Sequence, residues 1–412
     1  MKKAVQINVL KPSLLTVGVL LVFLCGVIQP EYILAVEVLL LIVVAKRIRI
    51  NREFALMLSF LFLHTCMCVL LGNDTFFLAF KQLAGITVSY AFYRTIVNDK
   101  QDALDAFMIY KKFSIWIAAF ALIQQVAFYT HISVIYDLRW LVNGQLAPAN
   151  SVFRSSTLFQ EPSECALILL PMAFLAMYSF WGKSKQKIEP LISKKEAIIL
   201  LLGYVATFSS AGYIGIFIGI ILIWVEYKHN PKQIIIFVLG VIVFITAYSR
   251  IGDFSERIND TLALISDNTR NLATANISSQ TIIINLKIAL KSFVSSFGLG
   301  GGIGSHPISY EKFIGELPVA NVVFFFNKED ANSLFLRIMS ELGAFGIAYV
   351  SLFFVRFWPK RNGSLESIFQ SMCVTYFLLR LLRYGHYFNN GLWLFIVIIV
   401  TMKKIGGEMD VH

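Results

Sequence analysis

The residues that could do chemistry in this chain are mostly arginines. Arg154, Arg250, Arg257, Arg337 and Arg383 fall in or beside segments that the hydropathy pattern puts on one side of a membrane. A guanidinium suits bidentate contact with phosphate, so these positions point to recognition of an anionic group. Three further groups could move a proton: Glu161, His306 and Glu341. Arg337 and Glu341 lie one helical turn apart and can pair on one face. Charged residues inside an apolar run usually face a bundle interior or a wet cavity, so this pair is a site candidate, with a structural ion pair near the interface as the alternative.

The elements that must position them are apolar runs. Mean hydropathy is +0.70, 57% of residues are hydrophobic and only 15% are charged. That pattern predicts an all-α, polytopic membrane protein forming a single unit over 1–412, with about twelve spans. The predicted spans are 13–28, 32–45, 54–71, 76–96, 107–129, 163–181, 196–209, 211–226, 233–248, 333–357, 365–381 and 388–402. In the pairs 13–45 and 196–226, two short helices and one long tilted helix look alike.

Lysine and arginine crowd alternate connections: Lys46, Arg47, Arg49 and Arg52 in one, and Lys183, Lys185, Lys187, Lys194 and Lys195 in another. Lys2, Lys3, Lys11, Lys360, Arg361, Lys403 and Lys404 fall on the same side when twelve spans are counted. This positive-inside pattern predicts both termini in the cytoplasm, and it accounts for the net charge of +11 without nucleic acid. Trp181, Trp224 and Trp358 stand at span ends, where an interfacial belt expects them. The basic N-terminus lacks a small-residue cleavage site, so the first span reads as retained. Cys25, Cys66, Cys68, Cys165 and Cys373 all lie in apolar runs without metal or redox spacing. No metal site, nucleotide loop or Ser-His-Asp spacing is visible, and no cofactor is expected.

Two outer connections are long, 130–162 and 249–332. The first ends in RSSTLFQEPSE (154–164). Pro162 suits a first helical turn, and the positive helix end beside Arg154 could cradle an anion. A capped helix with a surface ion pair reads the same. The turn FSSAGYIGIF (208–217) can permit close helix approach, or simply pack. In the second long loop seven basic residues face eight acidic ones. Its stretch Ile282 to Val294 carries Lys287 and Lys291, which would each cost roughly 2.5–3.5 kcal/mol in hydrocarbon. It is therefore predicted to be an amphipathic helix in the outer interface. GLGGGIGSHP (298–307) follows, and its glycines let backbone N–H groups converge on an anion. His306 there is a base candidate, although a lone loop histidine is more often inert. Arg380 and Arg383 flank the last outer turn, with Tyr384, His386, Asn389 and Asn390 beyond.

The order of these elements resembles the O-antigen polymerase/ligase superfamily, most of all its Wzy-type polysaccharide polymerases. Arg154 with Phe159-Gln160-Glu161-Pro162-Ser163 is similar to the family's R…F-x-E-P-S before a span. Thr207 to Tyr213 is similar to its T-x-S-x-x-G turn, and Phe297 to Gly300 to the G-x-G late in the large loop. Asn332-Ser333 with Glu341, Gly343 and Gly346 is similar to H-N-x9-G-x-x-G. The resemblance covers about residues 110–400. It implies a metal-independent glycosyltransferase in the cytoplasmic membrane of a bacterium, with its active site facing outward. The substrate implied is a polyprenyl-diphosphate-linked oligosaccharide, held among membrane lipid, with a chain-length regulator as a candidate protein partner. An acceptor hydroxyl attacks the anomeric carbon, and arginines stabilise the departing diphosphate. Asn332 stands where the ligase branch carries histidine, and Ala211 near where many members carry arginine. Both favour a polymerase over the ligase that transfers finished chains to a lipid core. A lipid-linked saccharide flippase is the alternative of a different class; it would place its residues near mid-membrane.

Overall fold

The computed structural model describes residues 2–45, 50–145, 153–181, 191–227, 252–266, 275–317, 327–360 and 363–406, with the isolated positions 48, 238 and 242. Among them the ordered secondary structure is entirely helical: α1 (Lys2–Phe23), α2 (Pro30–Val43), α3 (Arg52–Leu70), α4 (Phe76–Ile96), α5 (Lys100–Tyr129), α6 (Ser133–Tyr136), α7 (Pro162–Trp181), α8 (Lys194–Val205), α9 (Ser210–Tyr227), α10 (Gly252–Ser266), α11 (Ile277–Ser295), α12 (His306–Ile314), α13 (Leu334–Phe357), α14 (Leu365–Leu382) and α15 (Leu392–Gly406). The span 233–248, apart from Val238 and Ile242, lies outside the described residues; all the remaining predicted spans coincide with helices. The ambiguous pairs are each two helices, broken at 24–29 and 206–209.

Five of these helices are long and apolar enough to cross a bilayer: Arg52–Leu70, Lys100–Tyr129, Pro162–Phe180, Leu334–Phe357 and Leu365–Leu382. Ser13–Phe23, Ser210–Val225 and Leu392–Lys403 are apolar but shorter. The chain is thus a helical membrane protein with at least that many candidate spans.

Local chemistry sets the helix starts. Pro30 and Pro162 open α2 and α7, where a missing N–H costs nothing. Asp99, Asn276, Ser333 and Ser364 each accept a backbone N–H as N-caps. Ser193 and Glu196 form a reciprocal capping box on α8. Helix α7 is the axis of the bundle: its residues Cys165 to Tyr178 are buried, and it packs on α5, α8, α9 and α14. Gly203 lets α8 lie backbone-to-backbone on α5, since a Cβ there would stand 2.4 Å from the Ala118 carbonyl oxygen.

Within its described residues the second long connection is folded. Helix α11 covers the predicted amphipathic stretch and packs between α10, α12 and α13. It buries Ile283, Ile284 and Ile288, and it leaves Leu290, Val294 and Phe297 exposed.

The contacts between connections fall into two sets at opposite ends of the helices. One set holds Lys111–Glu196 (3.3 Å), Arg356–Glu53 (3.1 Å) and Arg94 on Asn51 and the Val97 carbonyl. The other joins 24–29, 71–75, 153–161, 206–209, 297–305, 327–333 and 383–391.

Candidate functional site

The second end carries the candidate site. Arg383 follows α14 and reaches Glu161, which precedes α7 (Nη2 to Oε2, 3.5 Å). Both remain part-exposed, Arg383 at 18% and Glu161 at 39%. The Ser163 hydroxyl donates to the same Glu161 oxygen (2.8 Å) and also meets the Tyr384 hydroxyl. Arg154, half-buried, donates through Nε to the Phe208 carbonyl (3.1 Å). That bond ties the EPS motif to the 206–209 turn, as does the Ser155 N–H to the Ala206 carbonyl. His386 (36% exposed) lies 3.9 Å from Asp330, and Lys81 pairs with Glu31 (3.0 Å).

Arg337 and Glu341 form the pair that their spacing predicts, Nε to Oε1 at 2.9 Å. They are not at a surface: Arg337 is 1% exposed and Glu341 0%. Arg337 also donates to the Gly385 carbonyl and lies 4.4 Å from the Tyr387 ring centre. Glu341 accepts from the Gly304 N–H (2.8 Å), the His306 N–H (3.4 Å) and the Tyr387 hydroxyl (2.8 Å). The glycine loop therefore does gather N–H groups on an anion, but the anion is the protein's own Glu341 carboxylate. That geometry makes Arg337 and Glu341 a buried, mutually bonded brace beneath the site.

His306 is likewise interior. Its Nδ1 meets the Ser340 hydroxyl (2.9 Å) and its Nε2 the Asn285 side-chain oxygen (3.0 Å). Burial, aided by the nearby Arg337 charge, pushes the imidazole down to about 3. A neutral ring with both nitrogens engaged is poorly placed to accept a proton from a substrate. Arg250 lies outside the described residues, and so does the side chain of Arg257, which stands on α10. Of the proton-moving candidates, Glu161 alone combines exposure with a cationic neighbour.

The glycine loop has a mechanical duty. Helix α13 is broken at Gly343, whose φ of 57° and ψ of −141° are open to glycine alone. The Ser340 and Glu341 carbonyls accept from Gly301 and Gly302 N–H, and the Ala344 N–H donates to the Gly298 carbonyl. The loop thus supplies the hydrogen bonds that the break removes.

Residues that sequence reading did not single out complete the arrangement. Asp330 accepts from the Gly385, Asn332 and Asn327 nitrogens. Burial works against its ionised form, but His386, the Asn332 N–H and Arg337 outweigh burial and hold it below the usual carboxylate range. Glu164, buried behind Glu161, accepts from the Gln160 N–H and contacts the Cys25 thiol. Among the described residues no group of three or more His, Cys, Asp or Glu is placed to hold a metal ion. The cysteines are free thiols; Cys25, Cys68, Cys165 and Cys373 are buried, and Cys66 is half-buried. No known protein family, no curated protein and no solved structure matches this chain.

Proposed function

We propose that the chain polymerises polyprenyl-diphosphate-linked oligosaccharide units into a surface polysaccharide at the outer face of a bacterial cytoplasmic membrane. The observation that carries this reading is the Arg383–Glu161 pair. It couples a part-exposed cation to a part-exposed carboxylate, with Arg154 on the same connection as Glu161. In this reading the substrate's diphosphate takes Arg383, a stronger bidentate partner than one carboxylate at 3.5 Å. Glu161 is thereby released to accept the acceptor hydroxyl's proton. The new bond forms between that oxygen and the anomeric carbon; the bond to phosphate breaks, and the lipid diphosphate leaves with the electron pair beside Arg383 and Arg154.

Two further features support it. The grouping of connections supports an outward-facing site: Lys111, Arg356 and Lys403 belong to the end opposite Arg383. An apolar groove of about 370 Å³ runs along α13 from Leu334 to Phe354, between α3, α14 and α15. Its apolar lining, from both sides of the break at Gly343, suits a prenyl chain. Tyr387, four residues from Arg383, is among its lining residues.

The broken helix α13 favours a second reading, a flippase, because discontinuous spans mark many transporter sites. Against this, the groups freed at Gly343 are already bonded to the glycine loop.

The test is polysaccharide length on gels from strains carrying Arg383→Ala or Glu161→Gln. Long ladders should collapse to single repeat units while protein level stays normal. An unchanged ladder at normal protein level refutes the assignment. Long chains left on the carrier in a deletion strain would indicate the ligase branch instead.

A further inference from the structure

Beside the glycine loop, a small pocket of about 70 Å³ opens among three elements: the 71–75 turn, the end of α11 and the outer face of α12. Ser292, Ser295, Ser296 and Ser309 line it, with Lys312 and Phe313. The direction of the hydroxyl bonds decides what it can hold. Ser295 and Ser296 donate their protons to the Ser292 and Phe293 carbonyls in their own helix (both 3.1 Å). Ser292 donates to the Ser340 carbonyl (3.1 Å), so its contact with Ser309 (3.0 Å) spends the Ser309 proton. The four hydroxyl protons are thus taken within the protein. The Ser296 oxygen also accepts from the Gly300 N–H (2.9 Å), and Ser292 and Ser309 are buried, so the exposed Ser295 oxygen is the acceptor offered most openly. A ligand seated there meets acceptor oxygen and donates to it. Lys312 and Asn73 add donors, so a ligand that both donates and accepts is matched, and Phe313 with Ile308 adds an apolar flank.

Ser305 is fully buried and its hydroxyl has no partner. It lies beside Gly301, where a Cβ would stand 2.4 Å from it. Gly301 itself lines the pocket. A buried hydroxyl without a partner is uncommon. The arginine site at Arg383 and Arg154 is the electrostatic complement: rich in donors and suited to anions. The two lie at the same end of the bundle, joined through Gly304, Glu341, Arg337 and Gly385.

We propose that this pocket is a saccharide subsite, taking the hydroxyl-bearing edge of an uncharged sugar residue in the glycan. This deepens the polymerase reading and rests on it: one set of groups holds the diphosphate, and the other holds sugar.

The test uses the full chain, purified in detergent, and a lipid-free oligosaccharide released by mild acid from the source organism's own polysaccharide. Saturation-transfer NMR titrations give the affinity of wild type, Lys312→Met, Ser295→Val and Arg383→Ala. Lys312 and Ser295 are exposed, so their variants keep the fold. Each should weaken binding by about fivefold or more, the loss of one or two hydrogen bonds, and Arg383→Ala should not. Equal affinity in wild type and both pocket variants, or no transfer to wild type, overturns the subsite. The polymerase reading is judged separately, by whether a deletion strain accumulates single lipid-linked repeat units.

Discussion

Removing Glu341 should harm the fold more than removing both Glu341 and its partner Arg337. Glu341→Met leaves a guanidinium buried at 1% exposure and orphans the Gly304 N–H, the His306 N–H and the Tyr387 hydroxyl. Breaking a buried pair costs about 3–5 kcal/mol, and each orphaned donor adds roughly 1–3 kcal/mol. The total should exceed about 5 kcal/mol. Arg337→Met leaves a carboxylate that those three donors still solvate, so it should cost about 3 kcal/mol. The double variant keeps the orphaned donors but removes the stranded charge, so it should be more stable than Glu341→Met alone, by about 2 kcal/mol. A thiol-reactive fluorophore reads this directly, because Cys25, Cys68, Cys165 and Cys373 are buried and react on unfolding. Heating in detergent is expected to be irreversible, so rates at fixed temperature are the quantity to compare. A double variant that unfolds as fast as Glu341→Met, or faster, contradicts the brace. A stable Glu341→Gln that abolishes polymer would return Glu341 to a catalytic role.

Gly343→Ala should cost about 3 kcal/mol or more, since its Cβ would stand 2.1 Å from the Gly298 carbonyl oxygen in a glycine-only conformation; dye-unfolding rates equal to wild type would reject the splinted break. Burial pushes the Asp74 carboxyl up to about 7. The folded state then holds a proton that the unfolded state releases near its ordinary value, so wild-type stability falls as pH rises from about 4 to about 7. Asp74→Asn should match wild type at pH 4 and exceed it above pH 7 by about 2 kcal/mol, half the full linkage value because solvent reaches the adjoining pocket; a pH-independent difference would remove burial as the cause. Gly203→Val should lower folded yield several-fold by driving α8 off α5, and near-normal yield on size-exclusion would show that the crossing is loose.

The helices were legible because continuous apolar runs leave few other options in a bilayer. The Arg337–Glu341 pair was legible because spacing i, i+4 is a local rule. Its burial was not, because the partners that enclose it come from residues 304, 306, 385 and 387. No periodicity links those positions to residue 341. His306 shows the same limit: the sequence gives a loop histidine before a proline, whereas its environment depends on Asn285 and Ser340 from two other helices. The glycine loop was rightly expected to collect N–H groups, but composition carries no information on whose charge they collect. Glu161 stood out through its place before Pro162. Its pairing with Arg383, 222 residues away, needed the packing of α14 on α7.

The splint across Gly343 also constrains how this protein can change over time. A stretch of connection and an interior turn of helix share one ladder of hydrogen bonds, so neither can gain or lose a residue alone. A single-residue insertion between Gly298 and Gly302 would shift every donor off its acceptor and require a matching slip in α13. Length variation among descendants of this chain should therefore gather elsewhere, and these two segments should be inherited as one piece.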